Sequence, residues 1–97
     1  MKANITNLKK VLKLCAKAHN ARFHDWSGEG QLGIESETNA TVCDVRMICE
    51  AFYGASAMMV EPNYSYTTVW LEPNMYGNKS EVNMELCLMA LPYGTKF

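Results

Sequence analysis

Residues 5–19 carry two opposed stripes, and no other feature restricts the fold of this chain as strongly. On a helical wheel of about 100° per residue, Ile5, Leu8, Val11, Leu12, Cys15 and His19 fall within roughly 120° of arc. Lys2, Lys9, Lys10, Lys13 and Lys17 occupy about 100° on the other side, and only Leu14 sits off the apolar face. A helix of this length is marginal alone, so the apolar stripe must be buried against another layer and the lysines left outside. Asn4 suits the N-cap, and Asn20 stands where a left-handed residue closes a helix.

A second helix is expected over residues 40–53. Thr41, Val42, Val45, Ile48, Cys49, Phe52 and Tyr53 share one face, and Cys43, Asp44, Arg46, Met47 and Glu50 the other. Thr38 or Asn39 would cap its start and Gly54 its end. Between the two helices, residues 21–35 read as a hairpin, with Phe23 on one arm, Leu32 and Ile34 on the other, and a turn-like link from Trp26 to Gly30. Gly33 weakens the second arm or marks a bulge.

Val60-Glu61-Pro62-Asn63 and Leu71-Glu72-Pro73-Asn74 each end an apolar run with a Pro-Asn pair suited to a chain reversal. Residues 57–61 and 64–72 are therefore expected to be adjacent antiparallel strands. Residues 81–91 alternate as a strand would at Val82, Met84, Leu86, Leu88 and Ala90, yet they are also rich in helix formers, with Ser80 available as a cap. The strand is the favoured expectation, because it completes a meander. The resulting fold class is α+β: two helices packed on one face of a small, mainly antiparallel sheet of three to five strands. With 97 residues, one compact domain spanning 1–97 is expected.

Charge is distributed unevenly. The net charge is −1, but residues 1–24 carry six basic groups and no acidic one, leaving −7 on the remainder. Such a dipolar chain can steer partners without determining a fold. No export signal and no bilayer-length apolar run is visible, so a cytoplasmic protein without membrane contact is expected. Cys15, Cys43, Cys49 and Cys87 then read as reduced thiols, mostly buried, with no zinc-finger spacing.

Several motif-like groups have ordinary explanations. Gly28-Glu29-Gly30-Gln31-Leu32-Gly33 matches a dinucleotide-binding pattern letter for letter. It ends inside a strand instead of opening a helix, and a glutamate stands among the amides that would hold phosphate. A hairpin turn is the expected reading. His24 with Asp25, or Cys15 with His19, would be the pairs to consider for acid–base or nucleophilic chemistry. Neither pair has a visible orienting group or oxyanion donors, so no catalytic, cofactor-binding or metal-binding residues are expected.

Two groups stand out as contact candidates. The lysines at positions 9, 10, 13 and 17 need solvent or an anionic partner. Tyr64, Tyr66, Thr68 and Trp70 alternate onto one side of their strand, with Ser65, Thr67, Val69 and Leu71 on the other. If Val69 and Leu71 point inward, the Tyr/Trp row is an exposed contact surface; if not, it is core. The expectation is a non-catalytic protein-interaction module. It would bind through Lys9, Lys10, Lys13, Lys17, Tyr64, Tyr66 and Trp70 to another protein with an acidic patch, as a regulator or an inhibitor that occludes it. Nucleic-acid binding through the basic helix and a small His/Asp or Cys/His enzyme are the alternatives. No pattern specifies a homo-oligomer.

Overall fold

The computed structural model describes residues 1–54, 59–71 and 81–97. Its elements run α1 (Ile5–Ala18), β1 (Phe23–Trp26), β2 (Gln31–Ile34), α2 (Asn39–Tyr53), β3 (Val60–Asn63), β4 (Tyr66–Trp70) and α3 (Met84–Met89). The four strands form one antiparallel sheet in the order β1-β2-β4-β3. The helices pack with this sheet in an α+β arrangement, as the two amphipathic segments require.

The helix ends follow from side-chain chemistry. The Asn4 side chain accepts from the Asn7 amide at 2.9 Å and starts α1. Asn20, at φ 57°, takes the left-handed conformation beyond its end. Thr38 caps α2 by accepting from the Thr41 amide at 3.3 Å, and Gly54, at φ 77°, ends it. Leu8, Val11, Leu12 and Cys15 of α1 meet Val45, Ile48, Cys49 and Phe52 of α2 in one core with Leu32, Ile34, Val60 and Val69 of the sheet. The Thr67 hydroxyl, buried at the same level, donates to the Ser36 carbonyl.

The hairpin forms as expected, with a difference at its tip. Trp26 is the last residue of β1, paired with Gln31, and the link is a short 3-10 turn over Ser27–Glu29 closed by Gly30 at φ 78°. Gly33 makes no bulge; it stays in register between His24 and Thr68. The second reversal also moves. β3 continues through Pro62 and Asn63, and the chain turns at Tyr64 and Ser65 with Tyr64 at φ 56°. Proline is tolerated because β3 is an edge strand, where a missing N–H costs the sheet least. The start of the strand expected at 57–61, the Glu72 end of the next strand, the second Pro-Asn turn and the Ser80 cap lie outside the described residues.

The strand expected over residues 81–91 does not form. Residues 84–89 form α3, not a fifth strand. Asn83 supplies the cap by accepting from the Leu86 amide at 3.2 Å, and its own N–H donates to the Ala51 carbonyl of α2 at 2.9 Å. A helix here places Cys87 in the core and packs Met84 and Leu86 partly against it, while Leu88 and Met89 face solvent. The segment therefore lies against α2 and does not extend the sheet. Among the described residues no helix is long and apolar enough to cross a membrane.

Candidate functional site

The outer face of α1 gathers four lysines, Lys9, Lys10, Lys13 and Lys17. Burying Leu8, Val11, Leu12 and Cys15 turns the lysines outward, because the two stripes are opposed on the helix. Lys10, Lys13 and Lys17 are exposed. Lys9 is partly covered and its Nζ lies 3.0 Å from an Asp25 carboxylate oxygen. The Lys13 ammonium sits over the Phe23 ring, 5.7 Å from its centre, a cation–π contact that holds the stem against β1. Lys96 arrives from the C-terminal segment and joins this face. Together Lys9, Lys10, Lys13, Lys17 and Lys96 surround an open depression of ≈ 610 Å³, with Thr6 and Leu14 completing its lining. Among the described residues, Lys10, Lys17 and Lys96 pair with no carboxylate.

The sheet presents a second surface. Val69 is in the core, so strand alternation turns Tyr66, Thr68 and Trp70 away from the helices. Tyr66 is half-buried and Trp70 is 39% exposed, so the Tyr/Trp row is outward. Tyr64 leaves that row: it stands in the turn, 86% exposed. Two residues of β1 complete the surface. His24 stacks on Trp26 with ring centres 4.9 Å apart, and Tyr66 meets both rings edge-on at 5.5 Å. Carboxylates border this surface. Glu35 lies 3.2 Å from His24 Nε2, and the Trp70 indole N–H donates to Glu61 at 2.8 Å.

The two candidate chemical pairs fare differently. His24 and Asp25 are neighbours on a strand and face opposite sides: His24 joins the aromatic cluster, whereas Asp25 turns to Lys9 on α1. Cys15 of α1 and His19 at its C-cap do converge, and Asp44 of α2 joins them. His19 Nε2 lies 2.8 Å from the Asp44 carboxylate, and the three ligating atoms lie within 4.8 Å of one another. Cys15 is fully buried. Burial, and secondarily the Asp44 charge, push its thiol up to about 12. A thiol so protonated and enclosed is a poor nucleophile.

No family model, curated protein or solved structure matches this chain. Three residues of these surfaces are not singled out by local sequence patterns: Lys96, Asp44 and Trp26. Lys96 enters the lysine face from the far terminus, and spacing places Asp44 only on the polar side of its helix. Trp26 falls by composition in the turn-like link that runs to Gly30. The one local signal for Trp26 was its alternation with His24 two residues earlier, which is how strand side chains share a face.

Proposed function

We propose that the protein is a non-catalytic protein-interaction module that binds an acidic partner surface through the lysine face of α1. It would act as a regulator or inhibitor by covering that surface. The observation that carries this reading is the convergence of five lysines, from two distant chain segments, around an open depression with Leu14 in its lining. Ammonium groups held this close repel one another unless solvent or an anion intervenes. A partner carboxylate cluster would relieve that repulsion, and apolar contact at Leu14 would add burial to charge. The outward aromatic residues Trp26, Tyr66 and Trp70 are of the kind that anchor protein interfaces, and they offer a second contact on the outer face of the sheet.

Phosphate is the other anion such a helix can meet, which keeps nucleic-acid binding as the second reading. The carboxylates of Glu35 and Glu61 beside the aromatic cluster favour protein over nucleic acid on the sheet side, since they repel phosphate. The two readings are separated by affinity capture from host lysate, with and without nuclease. The comparison bait carries Lys10→Glu, Lys17→Glu and Lys96→Glu, which leaves the Lys9–Asp25 and Lys13–Phe23 contacts intact. The expected result is a protein retained by the unaltered bait after nuclease treatment and lost from the reversed one. Association with that protein should be slowed by about tenfold or more at low salt. Equal retention by both baits overturns the proposal, and retention abolished by nuclease transfers it to nucleic acid.

A further inference from the structure

The Cys15, His19 and Asp44 cluster lies away from the lysine depression and has no part in the proposed binding. Its chemistry is that of a metal ligand set. Cys15 lies on α1 and His19, four residues on, is the residue that caps its C-terminus, so the two meet at one-turn spacing. Asp44 of α2 closes the group from the facing helix. Tetrahedral zinc, with bonds of about 2.0–2.3 Å, needs ligand atoms roughly 3.3–3.8 Å apart. The three atoms here lie within 4.8 Å of one another, with His19 and Asp44 at 2.8 Å. Side-chain adjustments of about an ångström or less therefore reach coordination distance.

Access is also suitable. The Cys15 sulfur is at the buried end, while the His19 and Asp44 side chains are 18% and 31% exposed and form the mouth. We infer that Cys15, His19 and Asp44 form a binding site for a zinc-class divalent metal ion, with water in the fourth position. Thiolate, imidazole and carboxylate together suit zinc; magnesium and calcium prefer oxygen ligands alone. Coordination displaces the Cys15 thiol proton to solvent and the proton between His19 Nε2 and Asp44 to solvent or to Nδ1 of the ring, and it ties the two helices together. In the metal-free chain burial, and after it the Asp44 charge, disfavours a Cys15 thiolate. A dication reverses that relation, because it attracts both anions.

The full chain should be titrated with Zn²⁺ and, as a spectroscopic probe, with Co²⁺. Saturating Zn²⁺ is expected to raise Tm by roughly 5 °C or more, reversibly on chelation. Co²⁺ is expected to give a thiolate-to-metal charge-transfer band that persists in Cys43→Ser and vanishes in Cys15→Ser. Asp44→Asn, at a partly exposed position, should keep the fold and weaken Co²⁺ binding about tenfold or more. A folded chain that shows neither band nor Tm shift overturns the assignment, as does a band that survives Cys15→Ser. Should Cys15→Ser fail to fold, unchanged Co²⁺ affinity in Asp44→Asn overturns it equally.

Discussion

The indole of Trp26 lies across Gly33 on the outer face of the sheet. A Cβ at position 33 would stand 2.5 Å from the indole Cζ3 and 3.1 Å from Cε3, closer than van der Waals contact permits. The absent side chain lets the ring sit close enough to stack on His24 at 4.9 Å and to receive the edge of Tyr66. Glycine at this strand position is thus a packing requirement of the neighbouring tryptophan, with no bulge involved.

Gly33→Ala is accordingly expected to displace the indole and to destabilise the fold by about 1–3 kcal/mol, the usual cost of overpacking. Urea denaturation gives the stability, and near-ultraviolet circular dichroism reports the ring cluster. Wild-type stability with an unchanged aromatic spectrum would contradict this contact.

The four thiols should react at very different rates. Cys43 is exposed, whereas Cys15, Cys49 and Cys87 are buried. Burial pushes the Cys15 and Cys49 thiols up to about 12 and also raises that of Cys87. A thiol at that value is ionised to roughly one part in ten thousand at pH 8, and reaction requires the thiolate. Alkylation of the native chain followed by mass spectrometry should show one fast adduct, at Cys43, with the other three appearing only on unfolding. Rapid modification of Cys15 or Cys49 in the folded protein would refute the buried assignment.

α3 depends on its cap more than the longer helices do, because it has only six residues to offset the cost of nucleation. Asn83→Ala removes the acceptor of the Leu86 amide and is expected to cost about 0.5–2 kcal/mol, while Asn83→Ser should recover most of it. Thermal denaturation of the two variants against wild type decides the matter. Equal Tm values for all three would mean that the cap contributes nothing.

Asp25 couples stability to acid pH. Hydrogen bonds from Ser27, with a smaller contribution from Lys9, lower its carboxyl from 3.8 to about 2. The folded state therefore binds this proton more weakly than the unfolded chain does. The stabilisation is fully present above pH 3.8 and is lost as pH falls through about 2. Solvent screening at this exposed position keeps the effect small. The Tm difference between wild type and Asp25→Asn should narrow across that window, and the carboxyl should titrate by NMR near pH 2. Parallel Tm curves for the two proteins would remove Asp25 from the account.

Much of this fold is legible from residue spacing. The apolar arcs of α1 and α2, the Asn4 and Thr38 caps, and the pairing of β1 with β2 and β3 with β4 all follow from neighbours within a few residues. Where two local rules competed, spacing was insufficient. Met84, Leu86 and Leu88 alternate as a strand does, yet the Asn83 cap and packing against α2 select a helix. Pro62-Asn63 has the composition of a turn, yet the pairing of Pro62 with Thr67 carries the strand past it. The lysine stripe was readable because one helix holds four of its five members; Lys96 was not, because nothing near it in the chain refers to α1.

By itself the sequence determined which stretches alternate, which faces are apolar, and that positive charge gathers along the first helix. Those properties depend on backbone geometry repeating every two or 3.6 residues. Tertiary structure alone decided that Val69 turns inward and Trp70 outward, that Asp44 meets Cys15 and His19, and that Trp26 covers Gly33. Each of these joins residues from separate elements, and such contacts arise only when whole layers bury their apolar faces against one another.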